Sequence, residues 1–170
     1  IRQYASYFRA DVLGLKAGTY SIKVVPVNAE GKEMAGANTA TNLVVKSHNR
    51  EGFAHFNFEG IGAYNNDGTL KSDAKVLYIT ASTAKTVSTD VIVGSKNKKV
   101  NAKGFQAIIN AYQKGYDTTP IAFRIIGKVS LADLDGISSS SEGIQIKGKS
   151  GYSTMNMTFE GVGDDATVYG

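Results

Sequence analysis

The chain has 170 residues, 42% of them hydrophobic and 20% charged, the profile of an ordinary globular protein with room for one domain or two small ones. It contains no cysteine, which excludes a disulfide scaffold, a thiolate zinc site and a cysteine nucleophile. The formal charge of +4 permits attraction to a polyanion without selecting nucleic acid, anionic lipid or acidic polysaccharide, and no apolar run approaches the roughly 20 residues of a membrane-spanning helix.

Nineteen glycines against two prolines, with many Thr, Val, Ile and Tyr residues, favour strands joined by glycine turns over a helical bundle. Residues 1–10 read as aromatic and extended, and residues 10–15 alternate well enough for a strand. After the Lys16-Ala17-Gly18 turn, residues 19–27 alternate: Tyr20, Ile22 and Val24 point one way, Ser21, Lys23 and Val25 the other. Asn28-Ala29-Glu30-Gly31-Lys32 predicts a hairpin turn, with residues 41–46 as the returning strand. Phe53, Phe56 and Phe58 straddle polar positions, Asn65-Asn66-Asp67-Gly68-Thr69 is a strong turn signal, and residues 75–80 and 87–93 read as short strands.

One helix is expected. Phe105, Ile108, Ile109 and Tyr112 fall at i, i+3, i+4 and i+7 and share a face, opened near Asn101 or Lys103-Gly104 and closed by Lys114-Gly115, with Pro120 beyond. Short strands then follow at residues 121–126, 143–147, 154–159 and 166–169, the later ones about 11 to 12 residues apart. That spacing is the mark of a β-solenoid, in which each coil lays a strand on the previous one. About two coils are present where at least three are needed, so this section is expected to be marginally stable alone. With Ile1 at the start and a strand and turn at the end, the chain reads as a piece of a longer polypeptide.

Two stretches carry resemblances. Gly14-Leu15-Lys16-Ala17-Gly18-Thr19-Tyr20, followed by the long strand and Asn28-Ala29-Glu30-Gly31, resembles the late strands of a fibronectin type III-like domain, although Tyr20 follows Thr19 one residue earlier than in that pattern. The second resemblance spans residues 60–170. It rests on Gly60-Ile61-Gly62-Ala63-Tyr64-Asn65-Asn66-Asp67-Gly68, then Lys75-Val76-Leu77-Tyr78-Ile79, the amphipathic helix, and Pro120-Ile121-Ala122-Phe123-Arg124-Ile125-Ile126-Gly127-Lys128-Val129. It continues through Ile144-Gln145-Ile146-Lys147, Asn156-Met157-Thr158-Phe159-Glu160-Gly161-Val162-Gly163, a bulkier and more acidic version of the corresponding coil, and Ala166-Thr167-Val168-Tyr169-Gly170. In order and spacing these segments resemble the front portion of bacterial pectate lyases of polysaccharide lyase family 1. The resemblance implies an all-β protein: a partial fibronectin-like β-sandwich and an entry segment in residues 1–94, then a capping helix and the first coils of a right-handed parallel β-helix in residues 95–170.

It also implies a secreted, cell-surface or periplasmic bacterial enzyme that cleaves polygalacturonate by β-elimination. Calcium acidifies the proton beside the uronate carboxyl and an arginine abstracts it. The family's calcium carboxylates and arginine lie on coils after the Ala-x-Ile-x-Gly segment, so no catalytic, cofactor or metal residue is assigned here, and Ca2+ is expected of the full-length enzyme only. The expected partners are the remainder of the polypeptide and an acidic pectic polysaccharide, with no nucleic acid and no membrane span. The rival reading is a non-catalytic carbohydrate-binding or adhesive module of a bacterial surface protein.

Local candidates are weighed on that background. Asp164-Asp165 reads as a solvated turn between coils, with a calcium role as the alternative. Asp133 and Asp135 have an Asp-x-Asp-Gly pattern but lack the further oxygens and terminal Glu of a calcium loop. Lys96, Lys98, Lys99 and Lys103 form the one dense basic run, read as a solvated loop or an electrostatic attractor for an acidic polysaccharide. Arg124 is expected to point outward from its strand, residues 138–141 form a polar serine loop, and His48 and His55 are structural or solvated.

Overall fold

A computed structural model describes residues 2–3, 5–48, 62–137, 143–147 and 155–169. Strands predominate, with one α-helix, so the chain is of the all-β class. Its centre is a three-stranded parallel sheet of β5 (Lys75–Ile79), β8 (Ile121–Ser130) and β9 (Met157–Tyr169), with β8 in the middle. Parallel neighbours need a long crossover. Between β5 and β8 that crossover holds the antiparallel hairpin β6 (Ser88–Gly94) and β7 (Lys98–Lys103), and then the helix α1 (Phe105–Tyr112).

Register sets what each face of the sheet presents. Leu77 pairs with Phe123, and Phe123 with Phe159, so three strands stack apolar side chains in one column. The Phe123 and Phe159 rings stack at 5.1 Å, and Phe105 of α1 meets them at 5.1 and 6.0 Å. The helical stripe read from the sequence is fully buried here: Phe105, Ile108, Ile109 and Tyr112 join Ile79, Val91, Ile121 and Val129 in the core. Burial at about 1.5–3 kcal/mol per large side chain makes this face the main reason that an eight-residue helix persists.

Alternate residues occupy the opposite face, where Ala122, Arg124 and Ile126 lie on β8 and Thr158, Glu160 and Val162 on β9. Residues 62–71 lie against this face and fold back on themselves through the Tyr64–Leu70 bridge. The turn predicted at residues 65–69 is present, with Gly68 at φ 82° and the Asp67 carboxylate accepting the Thr69 amide and hydroxyl. Ala63 is buried and its amide donates to Thr158 Oγ1 at 2.9 Å.

The strands β8 and β9 bend together. Pairing runs from Ile121–Met157 to Ile126–Val162, then resumes at Lys128–Thr167. Gly127 at φ 70° turns β8, and Gly163 at φ 95° begins a four-residue excursion of β9. The two strands expected at residues 154–159 and 166–169 are therefore one bent strand.

The N-terminal third is thinner. Short strands β1 (Arg2–Gln3) and β2 (Phe8–Arg9) pair with each other, and β3 (Gly18–Val24) pairs antiparallel with β4 (Asn38–Val45). The turn at residues 28–32 is as expected: Asn28 Oδ1 accepts the amides of Glu30 and Lys32, and Gly31 takes φ 79°. Ile22 and Val24, expected on a core face, are 37% and 65% exposed, because the β3–β4 pair has no covering layer among the described residues.

Three further expectations differ from the structure. Residues 10–15 form no strand: they lack a pairing partner, and Gly14 turns at φ 74°. The lysine run is not a loop but the turn and second strand of the β6–β7 hairpin. Residues 143–147 form no strand and pair with none among the described residues. Phe53, Phe56, Phe58, His55 and residues 138–141 lie outside the described residues.

Candidate functional site

The densest polar cluster surrounds Arg124. A strand alternates its side chains, so Arg124 must leave the sheet on the face opposite Phe123. In-register pairing then sets it between Tyr78 of β5 and Glu160 of β9. Its Nε donates to Glu160 Oε1 at 2.7 Å, Nη2 to Tyr64 Oη at 3.1 Å and Nη1 to Tyr78 Oη at 3.4 Å. The Tyr64 hydroxyl in turn donates to both Glu160 oxygens, at 2.7 and 2.8 Å.

The guanidinium points outward as expected, but it is enclosed, its side chain only 11% exposed. Burial opposes its charge, and the bonds to Tyr64, Glu160 and Tyr78 outweigh that, so its pKa is raised above the ordinary arginine value. Burial also raises Tyr64, with Arg124 opposing and Glu160 reinforcing the shift. A proton-abstracting arginine needs a depressed pKa and a free nitrogen. Arg124 has neither, so the cluster fastens residues 62–71 to the sheet and is not built for general base work. Only Arg124 stood out in the sequence; Tyr64, Tyr78 and Glu160 come from three distant segments that parallel register alone brings together.

The acidic candidates are held by backbone. Asp133 accepts the Ser130 amide and hydroxyl at 2.8 and 2.6 Å, closing a capping box on the 3-10 turn Leu131–Asp133. Asp135 accepts the Gln106 and Ala107 amides, both at 2.9 Å, and so caps the first turn of α1 from another segment. Its carboxyl group fills the space where a Cβ on Gly104 would stand, which explains a glycine at φ 104° there. Asp164 extends into solvent from the β9 excursion, and Arg9 Nη1 lies 3.2 Å from it. Among the described residues no three His, Asp or Glu side chains gather to hold a metal ion.

Nothing in the sequence pattern marks Asp117 as a site residue, yet among the described residues it is the buried carboxylate, 2% exposed. It accepts the amides of Ile92 at 3.0 Å and Thr119 at 2.9 Å, and Lys75 Nζ lies 3.8 Å away. Burial pushes its pKa up, but those bonds and Lys75 more than compensate, leaving it lowered. The Asp-x-Thr turn before Pro120 was the legible signal for it. Nearby, the Tyr112 hydroxyl is buried without a hydrogen-bond partner among the described residues.

A cleft of about 380 Å³ runs beside α1. Gln106, Asn110 and the C-cap Gln113, at i, i+4 and i+7, line it along the flank of the helix beside the buried stripe. Gln106 Nε2 donates to the Gln145 carbonyl and Gln106 Oε1 accepts the Gln145 amide, each at 2.9 Å; the Lys147 amide donates to Gln113 Oε1. Helix side chains thus replace the neighbouring strand that residues 143–147 were expected to pair with. His48 lies against Gly68.

The lysines form the other exposed feature. Lys96 and Asn97, at φ 56° and 55°, make the tight turn of the β6–β7 hairpin, and Lys98, Lys99 and Lys103 project from β7. No helix among the described residues is long and apolar enough to cross a membrane. Comparisons with family models, curated proteins and solved structures gave no match.

Proposed function

We propose that residues 95–170 are the capping helix and first coils of a right-handed parallel β-helix, entered through the segment that precedes them, and that the chain is the N-terminal portion of a secreted, calcium-dependent pectate lyase. The observation that carries this reading is the parallel register of β5, β8 and β9, with Leu77, Phe123 and Phe159 in one column. A solenoid coil lays each strand on its predecessor in this way, and matched bends at Gly127 and at residues 163–166 suit the shared corner of successive coils. Helix α1, with its stripe against the Phe123–Phe159 stack, suits the cover that an open solenoid end requires.

The β3–β4 pair fits the sandwich part of the reading through one corner bond. Tyr20 Oη donates to the Lys16 carbonyl at 2.6 Å, the kind of contact a tyrosine corner makes in such sandwiches. In this proposal the chain supplies scaffold. The calcium carboxylates and the abstracting arginine belong to coils that follow, since Arg124 is enclosed and Asp133 and Asp135 serve as caps.

The test is to give the polypeptide that carries this chain polygalacturonate with calcium and to follow the absorbance of the unsaturated uronate product. A calcium-dependent rise is expected, and the 170-residue chain by itself should be silent. No rise with or without calcium contradicts the lyase reading and favours the non-catalytic binding module.

A further inference from the structure

The β6–β7 hairpin concentrates charge. Its lysines are Lys96, Lys98, Lys99 and Lys103 and its one carboxylate is Asp90, so residues 88–103 carry +4 − 1 = +3 of the chain's net +4. Asp90 Oδ1 accepts a bond from Asn101 at 2.9 Å, and among the described residues none of the four lysines lies within ion-pair distance of a carboxylate.

The support beneath them is rigid. Val91 and Ala102 are buried against α1, Lys75 Nζ donates to the Asp90 carbonyl at 2.6 Å, and the turn is set by two residues at positive φ. Lys99 and Lys103 share one face of β7, about 13 Å apart at strand rise. Lys98 lies on the other face and Lys96 at the tip.

Resting on the lyase reading, we infer that this hairpin is a docking arm for an acidic polysaccharide, separate from any catalytic coil. The chemistry selects that partner among polyanions. Residues 88–103 contain no aromatic side chain, so bases have nothing to stack on, and no arginine, so phosphates meet no bidentate fork. Neutral sugars likewise find no aromatic platform. What remains is a row of ammonium point charges, which suits single carboxylates spaced along a polymer. Such attraction raises the local concentration of the polymer and weakens with salt.

The test is affinity electrophoresis of the 170-residue chain, with EDTA present, through gels containing polygalacturonate, its fully methyl-esterified form, or single-stranded DNA. The variant K96Q/K98Q/K99Q/K103Q is compared with K23Q/K32Q/K46Q/K114Q, which removes the same charge from exposed sites elsewhere. All eight side chains are exposed, and thermal melts check that both variants fold.

The expected result is a loss of polygalacturonate affinity of roughly tenfold or more for the hairpin variant and less than about threefold for the other, with no retardation by the esterified polymer. Equal losses in the two variants, retardation by the esterified polymer, or tighter binding of DNA than of polygalacturonate would each overturn the inference. Binding is read without turnover. A hairpin-dependent retardation in a protein that makes no unsaturated uronate would therefore sink the lyase reading alone, whereas product formation with unaltered binding would sink the docking arm alone.

Discussion

Asp117 carries the clearest consequence at the scale of the residue. Its carboxylate satisfies two backbone amides in a place water does not reach, and its pKa is lowered in the folded chain. A depressed folded pKa adds stability that is present above the unfolded value, about 3.9, and is lost as pH falls through the folded value. Acidification below about pH 4 should thus lower the melting temperature of the native chain more steeply than that of Asp117→Asn, which keeps one acceptor oxygen but cannot titrate there. At neutral pH the same variant should cost about 1–3 kcal/mol, since a buried amide is left poorly paired. Parallel pH–melting slopes for the two proteins would refute the assignment. Tyr112 gives the opposite kind of prediction. Its hydroxyl is buried without a partner among the described residues, and burial, aided by the charge of Asp117, raises its pKa. Tyr112→Phe keeps the ring and removes the cost, so its melting temperature should stay level or rise by up to about 4 °C. A fall of several degrees would mean that the hydroxyl has a role. Neither role was legible from residue type: Tyr112 reads as one more member of an apolar stripe, and Asp117 as a turn former. Only the fold brings Ile92 and Lys75 to it.

At the scale of the element, protection from exchange should follow burial. β8 is paired on both sides and five of its ten residues are buried, whereas, among the described residues, β4 has no buried residue and β9 has one partner. Amide hydrogen exchange should therefore be slowest in β8 and α1, intermediate in β9, and fastest in β3 and β4. Uniform protection from β3 to β9 would contradict this ranking. The elements that were legible in the sequence are those whose own side chains specify them. The stripe from Phe105 to Tyr112 could only be a helix face, and Asn28, Gly31, Asp67 and Gly68 write their turns locally. The misread elements depend on partners. β7 has only Val100 and Ala102 as apolar residues, and it is a strand because β6 pairs with it. Residues 143–147 have strand-like alternation, yet their amides meet Gln106 and Gln113, whose polar i, i+7 spacing had no evident partner along the chain. The Arg124 cluster was half legible for the same reason: a charged residue in an apolar strand stands out, but its three partners do not.

For the whole molecule, the arrangement turns on one parallel ladder. The helix, the basic hairpin and residues 62–71 are all positioned by β5, β8 and β9, so the coil reading, and with it the proposed lyase, depends on that register. A sheet with β9 placed elsewhere would separate Glu160 from Arg124 and Phe159 from Phe123, and would leave α1 covering a different surface. The most direct measurement is solution NMR of the chain with labelled phenylalanine, reading ring-to-ring nuclear Overhauser effects together with backbone contacts across the ladder. The account predicts cross-peaks linking Phe105, Phe123 and Phe159, whose ring centres lie 5.1 to 6.0 Å apart, and parallel-strand backbone contacts from Leu77 through Phe123 to Phe159. A Phe159 ring with no cross-peak to Phe123, or antiparallel contacts between β8 and β9, would contradict it.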